Sequence, residues 1–362
     1  MSLEQVAVIP LDPERLRTVL TPDAVARFEH TLTRGRELFD SRTFWNVNST
    51  AQGGGVAEML RSLIGYALGA GLDARWLVAS CDAEFFLVTK RLHNRLHGDV
   101  GDGGPLGEAE RATYERCCSA NAEQLAARVR SADVVLLHDP QTAGMIPQLL
   151  DTGALVIWRS HVGIDPPNDL AREAWRFLTP YIERADGYVF SHPAYLWEGL
   201  DPAKLTVIAP SIDAFSPKNH AMAFTSVTAV LRAAGLAAGQ QHAHRAVFER
   251  LDGTIGHVEA EAQRIEERQL RLDDPLLAQV SRWDRLKDPA GVLEAFAEHV
   301  DGSEEPHLLL AGPDVKAVAD DPEGAGVFTE VEASWSSLPR RIRRRVHLVL
   351  MRGSAPSSHC TK

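Results

Sequence analysis

Residues 43–58 read TFWNVNSTAQGGGVAE and place a β-prone segment directly before three glycines and the start of a helical pattern. Apolar residues spaced three and four apart continue that pattern to Leu68. Glycine is costly inside a helix, but a glycine loop before a helix lets the backbone approach a bulky anion at the helix N-terminus. The stretch therefore predicts a strand, a phosphate-binding loop at Gly53, Gly54 and Gly55, and a helix. A tight turn without a ligand is the alternative.

Apolar strand-like segments alternate with helical segments from this stretch onward. In the first half of the chain the further strand-like segments are residues 75–80, 132–140, 154–161, 187–192 and 205–210. Continuous apolar strands interleaved with helices indicate a parallel sheet that is covered on both faces. We therefore predict an α/β fold in which residues 43–210 form a complete Rossmann-like domain.

The remaining segments extend this organisation. Residues 1–42 are predicted to be an N-terminal extension, and residues 211–274 a linker with a helical segment. Alternation resumes at residues 275–350, where three strands are visible, so we expect a second and incomplete Rossmann-like domain. Residues 351–362 are polar and patternless, which indicates an irregular tail at a truncated or frame-shifted end.

Composition and charge exclude several classes of protein. The net charge of -11 argues against a nucleic-acid partner, since phosphate backbones favour a basic surface. No apolar run approaches the roughly 20 residues that span a membrane, and the N-terminus lacks the pattern of a signal peptide. The four cysteines give neither a metal-binding spacing nor a disulfide framework, so we expect a reducing, cytoplasmic location.

Polar side chains follow three of the predicted strands. His-Asp stands at residues 138–139, Arg-Ser-His at 159–161 and Ser-His at 191–192, and strand ends of a parallel sheet meet at one edge. Their order gives no metal signature. The contiguous glycines also depart from G-x-G-x-x-G, which disfavours a nicotinamide-dependent oxidoreductase. Three imidazoles at one edge leave a structural and a catalytic role equally open.

Two cations open the predicted second domain. In VSRWDRLKDP, Arg282 and Lys287 come just after a strand, and Pro289 stands at an early position of the next helix. An arginine fork and a lysine point charge could together hold a diphosphate. An ordinary solvated loop is the alternative.

Five motifs together resemble the retaining glycosyltransferases of family 4, and most closely their trehalose synthase and trehalose phosphorylase branch. The motifs are WNVNSTAQGGGVAEML, TKRLHNRLHG, VVLLHDPQTAG, WRSHVGID and VSRWDRLKDP, which lie in this order between about residues 43 and 350. The resemblance implies two facing Rossmann-like domains of the B-type glycosyltransferase fold. Members of the family carry two glutamates eight residues apart in a glycine-rich segment, and nothing after Leu350 resembles it.

The resemblance also implies roles for particular residues. The loop Gly53–Gly55 would bind the donor phosphate, His161 would contact the donor sugar near the bond that breaks, and Arg282 with Lys287 would hold the leaving diphosphate. His161, Arg282 and Lys287 would thus be catalytic. The residues implied at the acceptor sugar are Lys90, His93, Asn94 and Asp139, where a solvated helix face is the alternative for the first three.

The function that the resemblance implies is transfer of glucose, with retention, from ADP-, UDP- or GDP-glucose to a sugar acceptor such as glucose, giving trehalose. It implies no cofactor and no metal, and it allows a homodimer. A trehalose phosphorylase that uses glucose 1-phosphate and a catalytically inactive truncated product are the alternatives.

Overall fold

A computed structural model describes residues 3–51, 54–239, 246–258, 260–300, 306–315 and 322–351 of the chain. The chain divides into two compact units, Met1–Asp213 and Ala214–Lys362, and each is described by itself. Residues 352–362, the predicted irregular tail, lie outside the described residues.

The first unit is built on one sheet with the strand order β1-β3-β2-β4-β5-β6-β7. Its strands are β1 (Glu4–Val6), β2 (Thr43–Asn48), β3 (Asp73–Val78), β4 (Val134–His138), β5 (Leu155–Ser160), β6 (Gly187–Phe190) and β7 (Leu205–Val207). Its helices are α1 (Pro22–Leu38), α2 (Gly55–Gly69), α3 (Ala83–Leu96), α4 (Glu108–Ala126), α5 (Pro140–Ala143), α6 (Ile146–Leu150) and α7 (Asp169–Ile182). From β3 to β7 every neighbouring pair is parallel, which confirms the predicted doubly wound domain.

The two faces of this sheet are covered by different helices. On one face Trp45, Val47 and Trp158 pack into a large core with α3, α4 and α7. On the other face Trp76 of β3 packs with Leu60 of α2 in a smaller cluster. Because successive strand residues point to opposite faces, the register of the sheet decides which side chains share the α2 face.

Residues 1–42, which were predicted to be an N-terminal extension, contribute a strand to the first unit. Glu4–Val6 pairs antiparallel with β3, and Leu11 lies so close to α2 that a Cβ at Gly69 would come within 1.8 Å of its carbonyl oxygen. A three-residue strand with two polar members has no apolar pattern that the sequence could reveal.

The second unit has a sheet with the order β10-β13-β12-β11 and a separate hairpin of β8 and β9. Its strands are β8 (Val247–Glu249), β9 (Ile255–His257), β10 (Gln263–Ile265), β11 (Leu276–Val280), β12 (His307–Pro313) and β13 (Val346–Met351). Its helices are α8 (Phe224–Ala233), α9 (Pro289–His299), α10 (Gly324–Ser337) and α11 (Arg340–Arg343). The three predicted strands are present and parallel. The antiparallel strand β10 falls in the predicted linker 211–274, because its three residues carry no strand pattern.

The cysteines contradict the expectation that no disulfide forms. Cys81, just after β3, is bonded to Cys117 of α4, and their Cα atoms are 5.8 Å apart. The two residues are 36 positions apart, a separation that no sequence motif marks. Among the described residues, no helix is long and apolar enough to cross a membrane.

Candidate active site

The carboxyl end of the first sheet is polar on the α2 face. Asn46 of β2 pairs in register with Trp76, which fixes its side chain on that face, and the alternation along β4 and β5 places His138 and Arg159 there too. These three side chains are buried, with 2%, 1% and 6% of their surfaces exposed. Buried polar side chains are rare enough that such a group needs a structural or functional explanation.

Asp139 has a strained backbone at this edge. Its φ of 60° lies in the left-handed region, which costs a residue other than glycine about 1–3 kcal/mol. Several contacts hold it there: its amide donates to the carbonyl oxygen of Arg159 at 2.8 Å, and its own carbonyl oxygen accepts from Trp158 Nε1 at 3.0 Å. Its Oδ1 accepts from the backbone amide of His161 at 2.8 Å. Asp139 and His161, predicted from separate motifs, are therefore brought together.

His161 stacks on His138. Their ring centroids are 5.3 Å apart at an interplanar angle of 15°, and His138 Nδ1 lies 3.0 Å from His161 Nε2. On its other side, His138 Nε2 lies 3.3 Å from Asn46 Oδ1. A carbonyl oxygen only accepts, so neutral His138 donates through Nε2–H and accepts at Nδ1. His161 then donates through Nε2–H, and its Nδ1 carries the lone pair.

The electrostatics keep both rings neutral near pH 7. Burial, followed by the charges of His161 and Arg159, lowers the pKa of His138 well below its ordinary value. Burial is also the main reason why the pKa of His161 is lowered, with Asp139 opposing and Arg159 adding to the shift. Burial raises the pKa of Asp139, against the effects of His161 and Arg159. Within the described part of the chain, His161 Nδ1 has no hydrogen-bond partner, so it remains available to a ligand.

The helix α3 carries the predicted acceptor-side residues. Lys90 and His93 are half-buried, and His93 packs edge-on against His97 with centroids 4.8 Å apart. The charge of His97 acts on Asp139, which links this end of α3 to the histidine pair. Asn94 is buried, and a Cβ at Gly101 would come within 2.8 Å of its Nδ2, so Asn94 packs against the turn that follows α3.

The glycine loop begins α2 as predicted, although Gly53 lies outside the described residues. Gly54 is the N-cap residue, with a φ of 138° that side-chain-bearing residues rarely adopt. A Cβ at Gly54 or Gly55 would meet nothing within 4 Å, so the backbone faces open space. No side chain at these two positions therefore blocks the approach of a ligand to the start of α2.

A large part of the first unit resembles a known family of proteins. Residues 46–197, which contain the glycine loop, α3 and the histidine pair, match the family model described as trehalose synthase, N-terminal domain. Residues 46–197 are a trehalose synthase-like domain.

Curated relatives match beyond the trehalose synthase-like domain. The trehalose synthase of Pyrococcus horikoshii is 33% identical over 288 residues, which cover 80% of this chain and 59% of that protein. The trehalose synthase of Rubrobacter xylanophilus is 32% identical over 282 residues, and the trehalose phosphorylase of Pleurotus sajor-caju is 24% identical over 321 residues. The chain spans 59%, 57% and 40% of the lengths of these three relatives.

Solved structures share the fold. An α,α-trehalose-phosphate synthase (UDP-forming) from Burkholderia xenovorans, in complex with glucose-6-phosphate, aligns with a TM-score of 0.59 at 12% identity, over 86% of this chain and 75% of that one. An E. coli structure bound with UDP-2-fluoro glucose aligns with a TM-score of 0.57 at 12% identity, over 86% and 74% of the two chains. These likenesses concern the fold alone, and they confirm a glycosyltransferase fold with Rossmann-like domains.

The second unit holds the two predicted cations. Arg282 follows β11 and lies 3.5 Å from Asp284, measured from Nη2 to Oδ2. Lys287 is exposed at the end of a short 3₁₀ helix, and its carbonyl oxygen accepts from Gln279. Asp288 caps α9 by accepting from the amide of Gly291, with Pro289 in the first turn as predicted.

Some residues of the trehalose synthase-like domain were not predicted as site residues. His192, the third imidazole of the sequence, is exposed and its Nδ1 accepts from the amide of Ala194, so it serves as a cap. Asn46, His97 and Arg159 join the site instead. The signal for Asn46 was its place as one of two amides, with Asn48, that alternate with apolar residues in FWNVN. Among the described residues, no group of three or more His, Cys, Asp or Glu side chains is arranged to hold a metal ion.

Proposed function

We propose that this chain transfers glucose from a nucleoside-diphosphate glucose to a sugar acceptor with retention of configuration, glucose being the acceptor and trehalose the product. The observation that carries the proposal is the contact of Asp139 with His161, stacked on His138, at the carboxyl end of the sheet in a trehalose synthase-like domain. We include assignment to glycosyltransferase family 4 in the proposal, with ADP-, UDP- or GDP-glucose as the donor.

The roles follow from what each group can donate or accept. His161 Nδ1 would accept a hydrogen bond from a hydroxyl of the donor sugar. Asp139 would accept from the acceptor hydroxyl, and Lys90 and His93 of α3 would contribute on the acceptor side. The amides of Gly54 and Gly55 would face the donor phosphate, and Arg282 and Lys287 would stabilise the charge that develops on the leaving diphosphate. Positioned donors of this kind contribute several kcal/mol.

Retention fits this set of groups. A retaining glycosidase uses two carboxyl groups about 5–5.5 Å apart, one of them a nucleophile. The site described above contributes one carboxylate, Asp139, which already accepts from the amide of His161. The acceptor hydroxyl oxygen would attack the anomeric carbon on the face from which the phosphate departs. The departing phosphate oxygen would take the proton of that hydroxyl.

A phosphorylase is the second candidate, favoured by the match to trehalose phosphorylase of Pleurotus sajor-caju. It would use glucose 1-phosphate, whose leaving group is inorganic phosphate. The same residues would act, with the phosphate in place of the diphosphate.

The test supplies the purified chain with glucose and each donor in turn: ADP-, UDP-, GDP-glucose and glucose 1-phosphate. We expect a non-reducing disaccharide that trehalase cleaves, with α-configured anomeric protons in its NMR spectrum. The Pyrococcus horikoshii relative serves as the positive control, and the His161→Ala variant as the negative one. Product from glucose 1-phosphate alone would select the phosphorylase. The absence of disaccharide with every donor would refute the proposal.

A further inference from the structure

Arg159 is a buried arginine whose side chain has no hydrogen bond or ion pair within the described part of the chain. Only 6% of the residue is exposed, and its Nε is fully buried with no hydrogen-bond partner. Among the described residues, no side chain forms an ion pair with its guanidinium. A buried donor without an acceptor, such as this Nε, costs about 1–3 kcal/mol, so the fold retains Arg159 at the expense of stability unless a ligand compensates it.

The other buried arginine of the first unit provides the contrast. Arg95 is 5% exposed, and its Nη1 lies 2.8 Å from Glu173 Oε1. Its Nη2 donates to the carbonyl oxygen of Gly104 at 2.6 Å. Arg95 therefore links α3 to α7 and to the loop before α4, as a structural arginine does. The buried Nε of each arginine has no hydrogen-bond partner, so the two arginines differ in their outer nitrogens. Among the described residues, the outer nitrogens of Arg159 have neither a carboxylate within ion-pair distance nor a carbonyl partner, and the charge of Asp139 acts on them only at longer range.

The place of Arg159 in the sheet points to a ligand. It is in register with His138 across β4 and β5, and it lies on the α2 face near the carboxyl end, where ligands of open α/β sheets bind. Asn46, on the same face, has a second buried and unpartnered donor, its Nδ2. Two unsatisfied donors on the face that carries His138 call for a ligand with acceptor oxygens.

We propose that Arg159 binds a phosphoryl group of the substrate. The inference rests on the proposed function, to which it adds a phosphate ligand in the first unit, independent of Arg282 and Lys287. A planar guanidinium matches the oxygens of a phosphoryl group with two parallel hydrogen bonds, and such pairs are charge-assisted. The phosphoryl group is either the diphosphate of a nucleotide sugar or the single phosphate of glucose 1-phosphate and free phosphate.

The negative charge of the Asp139 carboxylate opposes the binding of a phosphoryl group on this face. Its carboxylate acts on Arg159, whose pKa burial lowers and Asp139 raises. The carboxylate of Asp139 is also held by the amide of His161 through Oδ1. Among the described residues, Asp139 forms no ion pair with Arg159, so the guanidinium can still pair with a phosphoryl group.

The experiment compares Arg159→Gln with the matched control Arg95→Gln. Both variants are made in an Arg282→Gln, Lys287→Gln background, which removes the two second-unit cations. Thermal unfolding is measured without ligand, and dissociation constants are measured by calorimetry for inorganic phosphate, glucose 1-phosphate and UDP-glucose. Arg159→Lys, which retains the charge without the planar fork, is the conservative variant.

We expect opposite effects of the two substitutions. Arg159→Gln should unfold at the same or a higher temperature than its parent, and it should bind at least one of the three probes about 10-fold more weakly, with Arg159→Lys in between. Arg95→Gln should unfold several degrees lower and bind every probe within about twofold of the parent. A loss confined to UDP-glucose assigns the diphosphate, and a loss confined to the other two probes assigns the single phosphate.

Two results would overturn the inference. One is unchanged affinity of Arg159→Gln for all three probes. The other is a drop in unfolding temperature as large as that of Arg95→Gln, which would make Arg159 a structural residue. Neither result depends on turnover, so failure of this inference and failure of the proposed glucose transfer are separate outcomes.

Discussion

Each unit of the chain contains a stacked pair of histidines at or directly after the ends of adjacent parallel strands, and the two pairs differ in whether every ring nitrogen has a hydrogen-bond partner. In the second unit, His307 and His347 stack with centroids 5.1 Å apart, and His307 Nδ1 lies 2.8 Å from His347 Nε2. In the first unit, His138 and His161 stack with centroids 5.3 Å apart. The first pair stands at the carboxyl end of its sheet and the second at the amino end.

The second-unit pair uses all four of its ring nitrogens. Arg268 Nη1 lies 2.7 Å from His307 Nε2, and His347 Nδ1 lies 2.7 Å from Glu266 Oε2. Arg268 also donates to both carboxylate oxygens of Asp274. Arginine donates to His307, His307 donates to His347, and His347 donates to Glu266, so this network is complete in itself.

In the first-unit pair, three ring nitrogens have a hydrogen-bond partner. The fourth, His161 Nδ1, has none among the described residues. The comparison teaches that a buried histidine pair alone does not indicate a site. An incomplete hydrogen-bond chain at the carboxyl end of a parallel sheet does indicate one, because that is where ligands reach the sheet.

The largest expected effect separates the two pairs by turnover. His161→Ala should lower trehalose formation about 100-fold, the scale of losing one positioned group at the reacting centre. The free energy of unfolding, measured in urea, should fall by about 1 kcal/mol, since His161 is half-buried. Equal fractional losses in activity and in folded protein would make His161 structural and remove the distinction between the pairs.

The second-unit pair should show the opposite pattern. His347→Phe removes the hydrogen-bond partner of His307 Nδ1 and of Glu266 Oε2, so the free energy of unfolding should fall by about 2–3 kcal/mol. Turnover per folded molecule should stay within about twofold. His299→Ala is the control, since His299 is an exposed histidine of the same unit and should change stability by less than about 0.5 kcal/mol. A stable His347→Phe variant would contradict the structural assignment.

Both pairs should make the protein sensitive to acid. Burial lowers the folded-state pKa values of His138 and His307 below the ordinary value of 6.5, so the unfolded chain binds more protons between the two values. Stability is then complete above about pH 6.5 and is lost as pH falls, by at most about 1.4 kcal/mol per pH unit for each histidine. Urea unfolding from pH 7.5 to 5 measures the slope. His307→Gln should reduce the slope, and an unchanged slope would exclude His307 as a contributor.

The smallest expected effect concerns Asn46, the first member of the hydrogen-bonded series Asn46, His138 and His161 in the first unit. Asn46→Leu removes the acceptor of His138 while retaining side-chain volume, so His138 loses its fixed proton position. The loss of one hydrogen bond worth about 1 kcal/mol should lower kcat about fivefold. A kcat equal to that of the wild type would contradict the role of Asn46 in fixing the proton of His138.

The sequence predicted the parts of this molecule that depend on regular patterns. Apolar strands, the glycine loop before α2 and the edge carrying Asp139 and His161 follow from periodicity and from the position of strand ends. The sequence could not pair Cys81 with Cys117, because their contact arises from packing of α4 beside the end of β3. It also could not separate Arg159 from Arg95, since both lie in segments of ordinary composition and only the contacts distinguish them.

The most direct test of the account is the tautomer of His161. Two-bond nitrogen–proton NMR spectra at pH 7.5, with His161 assigned through the His161→Ala variant, report which ring nitrogen carries the proton. In the wild type we expect a proton on His161 Nε2 and an unprotonated Nδ1. In His138→Phe we expect a mixture of tautomers, because the acceptor of the His161 Nε2–H hydrogen bond is lost. A proton on His161 Nδ1 in the wild type, or a tautomer that His138→Phe leaves unchanged, would contradict the account.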